Sequence, residues 1–361
     1  MARPAWNKSH WRAEWIRLFP TRPPDVTPEK EQSTIRGLVE IARVDHWFKN
    51  VFVLPGVVVA LGFAPLSANR SAIEGFLIRL GLGLVAVCLV ASSNYALNEV
   101  LDASSDRHHP EKSQRAVPSG RVNVRLAYVE WAVLAATGIA IGAFLSFGLA
   151  AALAALWAMG CVYNVSPIRS KDLPYIDVLS ESLNNPLRML VGWYIVNPGG
   201  LAPVSLLVSY WMVGCYFMAI KRFAEFRHIG DRGRATAYRR SFARITEQHL
   251  LISIVFYASA AMLFFGAFAM RYRIELIVSF PLIALVMAIY LAVGFRPDSA
   301  AQRPEGLYRE PVLMAAVVAC TVLVVILLFV DLPVVSRVFV PTLAKSPDAA
   351  VRPALPGGAL P

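Results

Sequence analysis

The chain has 361 residues, of which 57% are hydrophobic and only 16% charged, where soluble domains carry roughly a quarter charged residues. The apolar residues gather in runs of roughly 17–23, the length that a bilayer core demands of a helix. That pattern excludes a soluble globular fold. It also argues against a membrane barrel, whose strands read as roughly 10-residue alternating segments.

The net charge of +11 falls mostly in short connections between the runs. The basic residues therefore read first as topology signals and second as anion ligands, with no pointer to nucleic acid or to an obligate protein partner. The four cysteines, Cys88, Cys161, Cys215 and Cys320, lie inside apolar runs without CxxC spacing and read as small buried hydrophobes.

Residues 1–40 form an N-terminal segment in which Trp6, Trp11, Trp15, Ile16, Leu18 and Phe19 alternate with Arg and Lys. It lacks the continuous apolar core of a signal peptide and reads either as an interfacial amphipathic stretch or as a disordered tail. Nine spans follow, at about 48–66, 76–97, 126–145, 147–165, 178–196, 202–221, 250–270, 275–295 and 312–331. Pro55 and Gly56 interrupt the first. Residues 332–361 form a tail, and its Pro-, Ala- and Gly-rich end from Ala344 to Pro361 reads as disordered. The expected fold is thus all-α, a polytopic bundle of about nine helices around a central cavity open to the cytoplasm. Most Lys and Arg lie in the N-terminal segment and in the connections after spans 2, 4, 6 and 8. The positive-inside rule places those segments in the cytoplasm, in the inner (plasma) membrane of a cell.

Span 2 ends in Asn94, Asn98, Asp102 and Asp106, spaced every four residues along one helix face. Carboxylates one turn apart repel each other, and a hard cation such as Mg2+ offsets that, because it takes oxygen ligands together with substrate phosphates. Arg107, His108, His109, Lys112 and Arg115 follow as phosphate ligands. Acids to hold a metal followed by bases to hold phosphate is what a Mg2+–diphosphate site requires.

A second stripe begins after span 4. Asp177, Glu181, Asn184 and Arg188 run along one face into an apolar span, with Arg169 and Lys171 just before it. An unpaired Arg188 three turns inside would cost at least about 2.5 kcal/mol, so it must pair with an acid or face a polar cavity. The two acidic stripes are expected to face each other across one cavity and to perform metal-plus-base or two-metal chemistry. Lys49, Lys221 and Arg222 stand at span ends, within reach of phosphate oxygens. Most arginines of 227–244, including Arg239 and Arg240, read as contacts to anionic lipid headgroups.

The stretch NEVLDASSD resembles the Asn-(Asp/Glu)-x-x-Asp-x-x-x-Asp signature of the UbiA superfamily of intramembrane prenyltransferases, over roughly residues 40–330. YNVSPIRSK is similar to that family's Tyr-Ser-x-x-Pro-x-Arg-x-Lys stretch, and Asp177-x-x-x-Glu181 to its second acidic motif. RVDHWFKN, NEVLDASSDRHHPEKSQR and KRFAEFR resemble the decaprenyl-phosphate phosphoribosyltransferase branch, whereas YNVSPIRSKDLPYID and NNPLR are closer to the ordinary prenyltransferases.

The resemblance implies a transferase domain over 41–331 with Asp102, Asp106, Asp177 and Glu181 as catalytic carboxylates. It implies Mg2+ held by Asn98, Asp102, Asp106 and Asp177. Substrate contacts fall to Lys49, Asn50, Asn94, Asn98, Arg115, Tyr163, Arg169, Lys171, Asn184, Arg188, Lys221 and Arg222. The reaction implied is transfer of a prenyl group from a polyprenyl diphosphate to an acceptor with release of diphosphate. The alternative is phosphoribosyl transfer from phosphoribosyl diphosphate to a polyprenyl phosphate. Its partners are an isoprenoid lipid, a donor bearing phosphate or diphosphate, and the membrane lipids. A lipid or small-molecule transporter is the competing class. It is disfavoured by the lack of an inverted repeat and by polar groups that cluster on one side.

Overall fold

The structure is a computed structural model that describes residues 31–107, 112–302 and 304–339. The expected interfacial stretch within 1–30, His108 and His109, and the tail end from 344 onward lie outside the described residues. The described residues contain helices and no strand.

The first helix, α1 (Glu31–Ile41), leads through a 3-10 segment (Val44–Val53) into α2 (Leu54–Phe63). Pro55 stands in the first turn of α2, where its missing N–H costs nothing. Next is α3 (Arg70–Asp106), started by the Asn69 side chain accepting from the Ala72 N–H. At 37 residues it is about 55 Å long, well beyond a 30 Å hydrocarbon core. Its C-terminal turns, with Asp102 and Asp106, follow the apolar run and carry the polar residues. Then come α4 (Val124–Leu145) and α5 (Phe147–Asn164), joined by Ser146 alone, whose hydroxyl caps α5 by accepting from Leu149 N–H.

The expected span over 178–196 is two helices, α6 (Ile176–Ser182) and α7 (Asn184–Val196), meeting at Leu183. Pro186 explains the break, because it has no N–H to give the Ser182 carbonyl and its ring crowds that group. The long α8 (Val204–Ile229) follows, then the short α9 (Arg232–Tyr238) and a 3-10 turn (Arg240–Arg244). The described residues end in α10 (Glu247–Tyr272), α11 (Phe280–Gly294), α12 (Pro311–Phe329) and α13 (Pro333–Val338).

Among the described residues, eight helical stretches are long and apolar enough to cross a membrane, the first being the composite Ile35–Phe63 and the broken α6–α7 pair not among them. Apolar side chains such as Ile252, Val255, Phe256 and Leu263 on α10 face outward, each more than 60% exposed. That is the surface of a bundle solvated by lipid. The chain is an integral membrane protein.

Inside, α3 packs along α4 and α5, α8 along α10, and α2 along α7. The α2–α7 contact is a backbone-to-backbone approach. A Cβ on Gly56 would fall on the Met189 carbonyl, and one on Gly192 on the Val53 carbonyl. Small residues allow such approaches where no hydrophobic effect drives helices together. Gly192→Leu or Gly56→Leu is therefore expected to cost about 1–3 kcal/mol or more through overpacking. Thermal unfolding in detergent checks this, with Gly75→Ala, whose Cβ meets nothing within 4 Å, expected to be silent.

Candidate active site

The C-terminal ends of α3, α5 and α8 and the segment 165–182 meet at one end of the bundle. Around the first acidic stripe, Lys171 donates its ammonium to three oxygens: Asp102 Oδ1 at 2.6 Å, Asn164 Oδ1 at 2.9 Å and Asn98 Oδ1 at 3.3 Å. Arg169 adds a 3.0 Å contact to Asp102 Oδ1 and, through Nε, a second to Asp172. Arg169 reaches both from a left-handed backbone conformation, φ 32°, a strain that a non-glycine residue tolerates only where its surroundings fix it. Burial pushes the Lys171 ammonium below its ordinary value, and Asp102 restores part of the loss.

The helical stripe does not converge on one point. Each four-residue step rotates about 40° around the axis, so the stripe winds by about 120° from Asn94 to Asp106, and Asp106 takes partners of its own, Arg115 at 2.6 Å and Lys112 at 4.0 Å. Asn94, deepest in the stripe, donates to the Leu156 carbonyl, and its Oδ1 is buried without a partner.

The second stripe forms a separate ion network. Arg222 is 2% exposed and donates to Asp177 (3.1 Å), Glu181 (2.8 Å) and Glu225 (3.2 Å). Tyr163 donates to Glu181, and Arg239 and Ser241 to Asp177. Lys221 acts on the charge of Glu181. The networks are joined through α5, since Tyr163 serves the second and its neighbour Asn164 the first.

Deeper in the bundle, Arg188 on α7 donates through Nε to Asn50 Oδ1 at 3.0 Å, and Asn50 donates to Cys88 Sγ at 3.2 Å. Asn184 donates to the Glu181 carbonyl. Lys49 instead lies over the Phe48 ring, 5.8 Å from its centroid.

The structure thus brings Asn98, Asp102, Arg169 and Lys171 together and, separately, Tyr163, Asp177, Glu181 and Arg222. It does not bring Asn98, Asp102, Asp106 and Asp177 to one point, and among the described residues no three His, Cys, Asp or Glu side chains form a metal cluster. The oxygens that do converge surround Lys171. Carboxylate and amide oxygens around a held cation are the donor set of a hard ion such as Mg2+, so Asn98, Asp102 and Asn164 fit one chemically.

The assignment of Arg239 to lipid headgroups is corrected. The turn Arg240–Arg244 buries Ser241 and Phe242 and draws Arg239 back onto Asp177, while Arg240 remains 81% exposed. Sequence reasoning also missed Glu225, although its position three residues after Arg222 was a usable signal. It missed Glu99 as well, 3% exposed, which accepts from Val117 N–H and faces Arg43 at 3.8 Å. Glu99, Arg43, Arg115 and Arg121 line a cleft of about 460 Å³ beside Asp106.

Acid-and-base networks gathered at one end of a membrane-embedded helical bundle suit an intramembrane transferase, and the family match makes that the class. The chain belongs to the UbiA prenyltransferase family, which it matches over residues 52–309. It is 30% identical over 253 residues to the decaprenyl-phosphate phosphoribosyltransferase of Mycobacterium tuberculosis, covering 68% of this chain and 78% of that one. It is 25% identical over 245 residues to the nodulation protein NoeC of Azorhizobium caulinodans, covering 68% and 70%. Its fold is that of a UbiA homolog from Archaeoglobus fulgidus solved with DMAPP and Mg2+, at a TM-score of 0.60 and 20% identity over 80% of this chain and 98% of that one.

Two outcomes follow from the geometry. Arg222→Gln removes the counter-charge that three carboxylates share, with Arg239 left on Asp177, and is expected to destabilise the protein by about 3–5 kcal/mol, whereas exposed Arg240→Ala leaves thermal unfolding unchanged. The lowered Lys171 titration is expected to make donor affinity fall, as pH rises, below the ordinary lysine range near 10.5, and Lys171→Arg to shift that alkaline limb upward. Donor KM measured against pH in both proteins checks the second.

Proposed function

We propose that this UbiA-type transferase moves a phosphoribosyl group from phosphoribosyl diphosphate to a polyprenyl phosphate and releases diphosphate. The observation that carries the donor and acceptor is the 30% identity to a decaprenyl-phosphate phosphoribosyltransferase across most of both chains. Transfer of a prenyl group from a prenyl diphosphate is the second reading. It is favoured by the fold shared with the homolog bound to DMAPP.

Both reactions use the same residues. A carbon–oxygen bond to diphosphate breaks, the carbon gains positive charge, and the acceptor's attacking atom, a phosphate oxygen in the phosphoribosyl reading, forms the new bond. Lys171 and Arg169 stand at Asp102 to take the departing phosphate oxygens. Arg222, held by Asp177 and Glu181, and its neighbour Lys221 meet them from α8, and Arg115 from beside Asp106. Mg2+ at the Asn98 and Asp102 oxygens would supply positive charge to the same leaving group. Tyr163 fixes Glu181 by hydrogen bonding. Asn50, Asn94, Asn184 and Arg188 line the membrane side, where the acceptor enters, and Lys49 stands at the rim. In this reading 41–331 is the transferase domain, 1–40 and 332–361 flank it, and the site opens to the cytoplasm from the inner membrane.

Purified protein with labelled phosphoribosyl diphosphate and polyprenyl phosphate is expected to release diphosphate in a Mg2+-dependent way, and Asp102→Asn to abolish it without loss of fold. Turnover only with a prenyl diphosphate would select the second reading, and turnover with neither donor would refute both.

A further inference from the structure

Two arginines lie deep in this bundle under opposite conditions. Arg222 touches three carboxylates. Arg188 touches none: among the described residues no Asp or Glu lies within 4.0 Å of it, and its hydrogen-bond partner is the neutral Asn50. The titratable groups near enough to act on its charge are Tyr95, Tyr210 and Cys88, all neutral at physiological pH. Asn50 is itself 3% exposed and tied to Cys88, so the guanidinium is oriented by a rigid neighbour that does nothing for its charge. A cation deep among the apolar helices of a membrane bundle without an acid is costly and marks function.

The place of this cation limits what it meets. Cys88 and Tyr95 precede Asp102 on α3 by fourteen and seven residues, which is roughly 20 and 10 Å along the helix. Arg188 therefore lies on the membrane side of the donor networks, between them and the apolar interior. A lipid whose tail stays in hydrocarbon brings its headgroup to this level, whereas a water-soluble donor arrives from the other end. The guanidinium's remaining N–H groups match phosphate oxygens in a planar fork.

We infer that Arg188, held by Asn50, is the subsite for the anionic phosphate headgroup of the isoprenoid acceptor, separate from the residues that hold the donor diphosphate. This deepens the phosphoribosyl-transfer reading and rests on it for the acceptor's identity.

The test uses the full chain in neutral phosphatidylcholine nanodiscs, with polyprenyl phosphate, uncharged polyprenol, phosphatidylglycerol and inorganic phosphate as probes. Polyprenyl phosphate is expected to raise the wild-type melting temperature clearly more than the other three. Arg188→Gln is expected to erase that difference and to raise the acceptor KM tenfold or more, with the donor KM changed less than twofold. Arg188→Lys is expected to lie between the two.

Asn50→Asp supplies the missing carboxylate while keeping the arginine. It is expected to raise stability without ligand and to weaken polyprenyl phosphate as Arg188→Gln does. That variant keeps the inference falsifiable if Arg188→Gln fails to fold. Unchanged acceptor KM in Asn50→Asp, a rise in donor KM instead, or equal stabilisation by phosphatidylglycerol or free phosphate would overturn it. Arg188-dependent binding of polyprenyl phosphate without phosphoribosyl transfer would refute the donor reading and leave the subsite standing.

Discussion

A charge taken out of water must find its opposite, and in this bundle Arg222 is where that rule acts most strongly. One guanidinium at the end of α8 answers three carboxylates from α6 and from α8 itself. Without its carboxylates Arg222 would be an uncompensated charge in a low-dielectric setting, at a cost of several kcal/mol. Together they lock the short helix α6 against α8. Because α6 is only seven residues long and is cut from α7 by Pro186, it has little helical stability of its own. Its position is set by that ion network and by Tyr163 from α5.

The rest of the site inherits this placement. Fixing α6 fixes the segment before it, and that segment carries Arg169 and Lys171 onto Asp102. The length of α3 does the complementary task, carrying Asp102 beyond the apolar run to the end of the bundle where Arg169 and Lys171 meet it. The networks meet at adjacent residues of α5, Tyr163 and Asn164. A ligand that displaces Lys171 from its oxygens therefore acts one peptide away from the group that orients Glu181.

Much of this was legible in the sequence, since polar residues in apolar runs carry information that polar residues in loops do not. Asn98, Asp102, Asp177 and Glu181 stood out for that reason, and so did the basic groups flanking them. What stayed hidden was partnership across the fold. The i+4 spacing grouped Asp106 with Asp102, but the fold gives each its own basic partners, Arg115 for Asp106 and Arg169 with Lys171 for Asp102. A run of arginines after α8 read as uniform, although burial of Phe242 singles out Arg239 from Arg240. The broken α6–α7 pair read as one span, because hydropathy registers the apolar content of 178–196 and not the missing N–H of Pro186.

The central claim is that the Asp102–Lys171 and Arg222 networks together form the seat of a donor diphosphate. Titration calorimetry of inorganic diphosphate with Mg2+ into the nanodisc-embedded protein tests it without a need to know either substrate. The account predicts one-to-one binding that weakens tenfold or more in Lys171→Met and is untouched in Arg240→Ala. Equal affinity in Lys171→Met and the wild type would contradict it and leave the basic residues of this end as topology signals alone.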